Sequence, residues 1–92
     1  ILVSRVEVDV QTVMSGGSID SMSIYVGSLT TGTKLMDTSE NDILVSDLYI
    51  KDLTSSIDIS GNQIYCYFFD ADSNATTPTA GNINIIVHYN IL

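Results

Sequence analysis

Three sets of side chains in this 92-residue chain have types or spacing that could do chemistry. Asp70, Asp72 and Asn74 stand in a D-x-D-x-N arrangement, whose alternate oxygens could open a calcium loop. The rest of that motif is missing, because Ala75 takes the sixth place, where an EF-hand turn needs Gly, and Gly81 takes the twelfth, where a bidentate Glu belongs. A solvated loop is the expectation. His88 is the single histidine and Cys66 the single cysteine, so a structural zinc site with four nitrogen or sulfur ligands is out of reach. His88 is expected in surface or interface packing. No internal disulfide can form, and Cys66, between Tyr65 and Tyr67 with no adjacent cation to lower its pKa, reads as a small structural hydrophobe.

Nucleophile and phosphate signatures are also missing. There is no G-x-S-x-G elbow, and Gly16 and Gly17 precede a strand pattern instead of a helix that could hold a phosphate. Residue counts leave paired-carboxylate hydrolysis open, but a sheet protein this small rarely encloses a deep pocket. The expectation is no enzyme, with no catalytic, cofactor-binding or metal residue. Five tyrosines, Tyr25, Tyr49, Tyr65, Tyr67 and Tyr89, offer flat apolar area with a polar tip, suited to protein or sugar contacts and also to ordinary sheet-face packing.

The elements that must carry these residues are strands. At even positions from residue 2 to 10 the chain reads Leu2, Ser4, Val6, Val8, Val10, against Val3, Arg5, Glu7, Asp9 and Gln11 at odd ones, which predicts a half-buried strand over 2–12. Ser15-Gly16-Gly17-Ser18 then predicts a turn. Met22, Ile24 and Val26 alternate with Ser21, Ser23 and Tyr25 in a second strand that stops at Gly27, and 28–33 reads as loop. Lys34-Leu35-Met36 suits a short edge strand, and the acidic run 37–42 a solvated connection. Residues 43–53 fit strand better than helix through Val45, Tyr49 and Ile50, although Leu44, Leu48 and Lys51 would also share a helical face. Ile57 and Ile59 suggest a further brief strand entering a turn at Ser60-Gly61-Asn62. The run 64–69 is apolar on both faces and predicts a central or covered strand. The stretch 70–82, with Pro78 and Gly81, predicts an exposed loop, and 83–91 a closing strand with Ile83, Ile85, Val87, Tyr89 and Ile91 on one face.

About seven to eight short strands without a helix predict an all-β, antiparallel β-sandwich of jelly-roll-like type over residues 1–92, with a small barrel as the rival. A single domain of this size buries only about 60–65% of its unfolded surface, so oligomerisation is a natural supplement. Eleven acids against Arg5, Lys34 and Lys51 give a net charge of -8, which speaks against nucleic acid and anionic membranes, and no run approaches the roughly 20 apolar residues of a spanning helix. Ile1 is not an initiator Met, which fits a portion of a longer chain.

The whole pattern resembles a module of tailed-bacteriophage structural proteins. The resemblance rests on the Thr12-x-x-x-Gly16 turn after the valine-alternating strand, the Ser23-Ile24-Tyr25-Val26-Gly27 step, Thr33 to Met36, Ala80-Gly81, and a last strand reaching Tyr89. Met14 stands where that module often has an aromatic. The resemblance implies a virion protein: a capsid decoration or cement protein, homo-oligomeric and trimeric, on the capsid surface against the major capsid protein or other virion proteins. The strand at 64–69 and the Ile1-Leu2 and Ile91-Leu92 ends would supply contacts. Two alternatives stay open, a tail or head fibre module that binds host-surface carbohydrate near 70–82, and a pilin-like or adhesin subunit.

Overall fold

Valine-rich alternation does build this molecule, but around an interruption that the pattern conceals. In the computed structural model, which describes residues 1–59 and 61–91, β1 runs Leu2–Ser15, β2 Ile19–Val26, β3 Thr33–Met36, β4 Leu48–Asp58, β5 Ile64–Asp70 and β6 Ala80–Asn90. Ser60, expected in a turn, and Leu92, expected in an apolar end, lie outside the described residues. The strands form two antiparallel three-stranded sheets, in the orders β4-β1-β6 and β3-β2-β5. The chain is thus all-β, with six strands among the described residues where seven or eight are expected.

The core lies between the two central strands. Val6, Val8 and Val10 of β1 and Met22, Ile24 and Val26 of β2 are buried, and Leu35, Met36 and Ile43 close the cluster. Burying each such side chain contributes about 1.5–3 kcal/mol, so these residues dominate the stability of the pair of sheets.

Alternation within β1 changes phase at Ser4. Val3 pairs with Tyr89 and Arg5 with His88, leaving Ser4 as an extra residue, and Val3 is fully buried while Leu2 and Ser4 are half-exposed. A bulge of this kind shifts every later side chain by one face. The expected inward positions of Leu2 and Ser4 are therefore corrected. On the other side Val3 pairs with Ile57 and Arg5 with Asp52, so 53–56 arch out of the ladder. That arch explains the strand count: its polar Thr54-Ser55-Ser56 looks like a break, yet Ile57 belongs to β4 and forms no strand of its own.

Three other expectations change. Residues 43–47 are turn and bend, not strand, and Ile43 is buried beneath them. The acidic 37–42 run is not simply solvated: Asp37 caps a 3-10 turn, Thr38–Glu40, accepting from Thr38 N at 2.7 Å while Glu40 Oε1 accepts from Asp37 N at 2.9 Å. That turn sets Asn41 inside, only 8% exposed. Finally, β5 is an edge strand, not a central one. Its covering is partial, through Thr76 N donating to Phe68 O at 3.0 Å and an Ala75 bridge to Phe69.

Gly16 and Gly17 carry the chain from one sheet to the other with φ of 91° and 60°. A Cβ on Gly16 would stand 1.9 Å from Thr79 Oγ1, so the turn needs glycine both for its backbone and for the approach of the 76–79 segment. Thr79 N donates to Ser15 O at 2.9 Å, and Thr76 Oγ1 donates to Gly17 O.

Candidate functional site

Residues on the outward rows of the two sheets, and the free strand edges, are what the fold leaves available. On the β4-β1-β6 sheet the register aligns Ile50, Glu7 and Ile86 in one row and Leu48, Asp9 and Asn84 in the next. Leu48, Ile50 and Ile86 are all exposed there. His88 lies on this face too, its Nε2 paired with the Glu7 carboxylate beside the Arg5–Asp52 ion pair at 2.6 Å.

The four outer edges differ in how they are protected. An unpaired edge offers backbone N–H and C=O groups to any passing strand, and charges, bulges, shortness or a covering loop normally prevent such pairing. The β4 edge has Lys51, Asp52 and Asp58 and the arch at 53–56. The β3 edge has four residues, and segment 74–76 bonds back onto part of β5. Among the described residues none of these devices protects β6. It runs for 11 residues as AGNINIIVHYN, with no Asp, Glu, Lys, Arg or Pro, and the register shifts against β1 place the extra residues in β1.

The outward face of the β3-β2-β5 sheet is aromatic and hydroxylated. Tyr25 and Tyr67 meet edge to face at 5.7 Å, Tyr65 and Tyr67 lie 6.0 Å apart, and Lys34 Nζ sits 5.8 Å from the Tyr25 ring centre. A depression of about 200 Å³ bordered by Ser21, Tyr25, Asp37 and Phe69 adjoins a second of about 540 Å³ bordered by Asp20, Asn41, Asp42 and Asp70. Ser21, Thr38 and Ser73 belong to both.

The cations near this trough are paired. Lys34 Nζ lies 3.2 Å from Asp37 Oδ1, and the Thr38 amide, followed by Lys34, holds the Asp37 carboxyl below its ordinary value. Lys51 of β4 pairs with Glu40 of the 3-10 turn that follows β3. Burial pushes the Glu40 carboxyl up, but the Lys51 hydrogen bond, the Asp37 amide and the Lys51 charge together bring it below its ordinary value.

The sequence candidates fall as follows. Asp70 Oδ1 accepts from the amides of Asp72 at 2.9 Å and Asn74 at 3.0 Å, so the D-x-D-x-N spacing folds into a self-bonded turn. Among the described residues no three His, Cys, Asp or Glu side chains are grouped to hold a metal ion. Cys66 packs against the core, and burial pushes its thiol up. Tyr25, Tyr65 and Tyr67 share a sheet face, Tyr49 packs half-buried against the core, and Tyr89 is exposed near the end of β6. Ser23 and Asn41, both buried, are residues that sequence reasoning passes over; only the Asp37-x-x-Glu40 capping pattern hints at the second. Comparison with protein families, with curated proteins and with solved structures finds no match to this chain.

Proposed function

We propose that the chain is a structural virion module, a capsid decoration or cement protein that holds its place through strand-edge contacts in a homo-oligomer. The observation that carries this reading is the β6 edge: 11 residues, regular, without ionic guards, and flanked by exposed Ile86 and Tyr89. A protein that stays solitary needs such an edge blunted, whereas a protein that staples subunits uses it. In a trimer the contact is head to tail, with β6 of one copy against a different surface of the next, and the major capsid protein meets what remains. The two sheets, read as a reduced sandwich of jelly-roll kind, supply a stiff body for that contact.

Sedimentation of the purified chain, followed by rebinding to capsids stripped of their surface proteins, tests the reading. Trimeric mass and saturable uptake are expected. Ile86→Lys, on a residue 41% exposed, should abolish both while leaving the fold within about 0.5 kcal/mol of the parent. A chain that stays monomeric at every concentration and leaves capsids bare overturns it.

A further inference from the structure

The trough on the β3-β2-β5 sheet has beneath it two buried polar atoms without partners among the described residues. Ser23 stands on the outward row of β2 between Ser21 and Tyr25, is 2% exposed, and has no hydrogen bond at Oγ. Asn41 donates through Nδ2 to Met22 O at 3.0 Å and Asp37 O at 3.2 Å, which turns Oδ1 away from both. That oxygen is unpartnered as well, and the residue borders the second depression. Buried polar atoms in folded proteins are almost always satisfied, so two exceptions along one open trough call for an explanation.

The two atoms lie just beneath the trough, and its lining decides the chemistry of what the trough would hold. Asp20, Asp37, Asp42 and Asp70 border the trough, and its one cation, Lys34, already faces Asp37, so an anionic ligand meets repulsion. A divalent cation meets no grouped set of ligating side chains among the described residues, and Asp70 Oδ1 is taken by its own loop. What remains favourable is a neutral ligand rich in hydroxyls and with apolar faces. Its hydroxyls donate to the carboxylates and accept from Ser21, Thr38 and Ser73. Its C–H faces pack on the half-buried rings of Phe69 and Tyr25.

We infer that this trough is a binding site for a neutral saccharide, with one ring over the Phe69 and Tyr25 end and the next extending toward Asn41 and Asp42. It lies on the sheet opposite the one carrying β6, so it stands or falls independently of the assembly reading.

The test is a glycan array of neutral hexose, N-acetylhexosamine and deoxyhexose oligomers together with sialylated glycans, followed by amide-shift titration with the retained sugar. Neutral glycans should be retained, with saturable shifts at Ser21, Ser23, Asn41 and Ser73. Phe69→Ala should weaken binding at least tenfold. Ser21→Gln, which fills the trough from an outward position and leaves the core rows untouched, should do the same with an unchanged melting temperature. Retention of no neutral glycan, preference for the sialylated ones, shifts elsewhere, or full affinity in a folded Ser21→Gln protein would each overturn the assignment.

Discussion

Exchanging polarity at two adjacent residues, Val3→Ser and Ser4→Lys, should have opposite consequences from those that simple alternation along β1 implies. Val3 is fully buried opposite Ile57 and Tyr89, and Ser4 is the half-exposed bulge residue. Val3→Ser removes two methyl groups, about 1.6 kcal/mol at ~0.8 kcal/mol each. The hydroxyl it introduces is buried, and without a partner it adds about 1–3 kcal/mol. The expected loss is about 2.6–4.6 kcal/mol, which for a domain of this size lowers Tm by at least about 10 °C. Ser4→Lys places an ammonium at the surface and should stay within about 1 kcal/mol of the parent. Urea unfolding followed by far-ultraviolet circular dichroism at two protein concentrations measures both. Should Ser4→Lys unfold the chain while Val3→Ser melts with the parent, the bulge and the register built on it would be wrong.

Gly16→Ala should lose at least about 2 kcal/mol by thermal melting, because its Cβ would meet Thr79 Oγ1 at 1.9 Å with φ at 91°, whereas Gly61→Ala, at φ 76° with nothing within 4 Å, should lose roughly 1 kcal/mol. Asp37 and Glu40 both have folded carboxyl pKa values lowered from the ordinary 3.8 and 4.5. Their contribution is therefore whole above that range and disappears as pH falls through the lower folded values, so acid titration of stability should show a decline below about pH 4.5 that Asp37→Asn reduces. Cys66, with its thiol raised by burial, should react with a disulfide reagent at neutral pH at least tenfold more slowly in the folded chain than in urea.

The sequence makes some elements plain because a single physical signal governs them. Met22, Ile24 and Val26 share a face in β2 as alternation requires, and Ile83, Ile85 and Val87 do so in β6. The glycine pair at 16 and 17 marks the crossing between sheets. Other features depend on groups distant in the chain. Ser4 and the 53–56 arch are bulges, and the one local sign at Ser4 is that Val3 and Ser4 invert the alternation that follows, a single pair too short to fix the register. In β5, apolar character on both faces suggests a central strand, but Tyr65 and Tyr67 have hydroxyls that tolerate an exposed edge, donating to Gln63 Oε1 and Gly27 O at 3.0 Å each. The trough needs segments near 20–25, 37–42 and 69–73 brought together, which periodicity cannot reveal. The bare edge of β6 is readable in part, since its lack of charge is visible in the residues, but that it is an edge follows only from the sheet order.

Hydrogen exchange at the β6 amides as a function of protein concentration tests the central claim most directly. In dilute solution every second amide between 80 and 90, the set pointing away from β1, should exchange at least a hundredfold faster than its neighbours. As copies assemble, that same set should become protected, and Ile86→Lys should keep it open. Exchange at these amides that stays equally fast in the assembled state would contradict strand-edge assembly through β6.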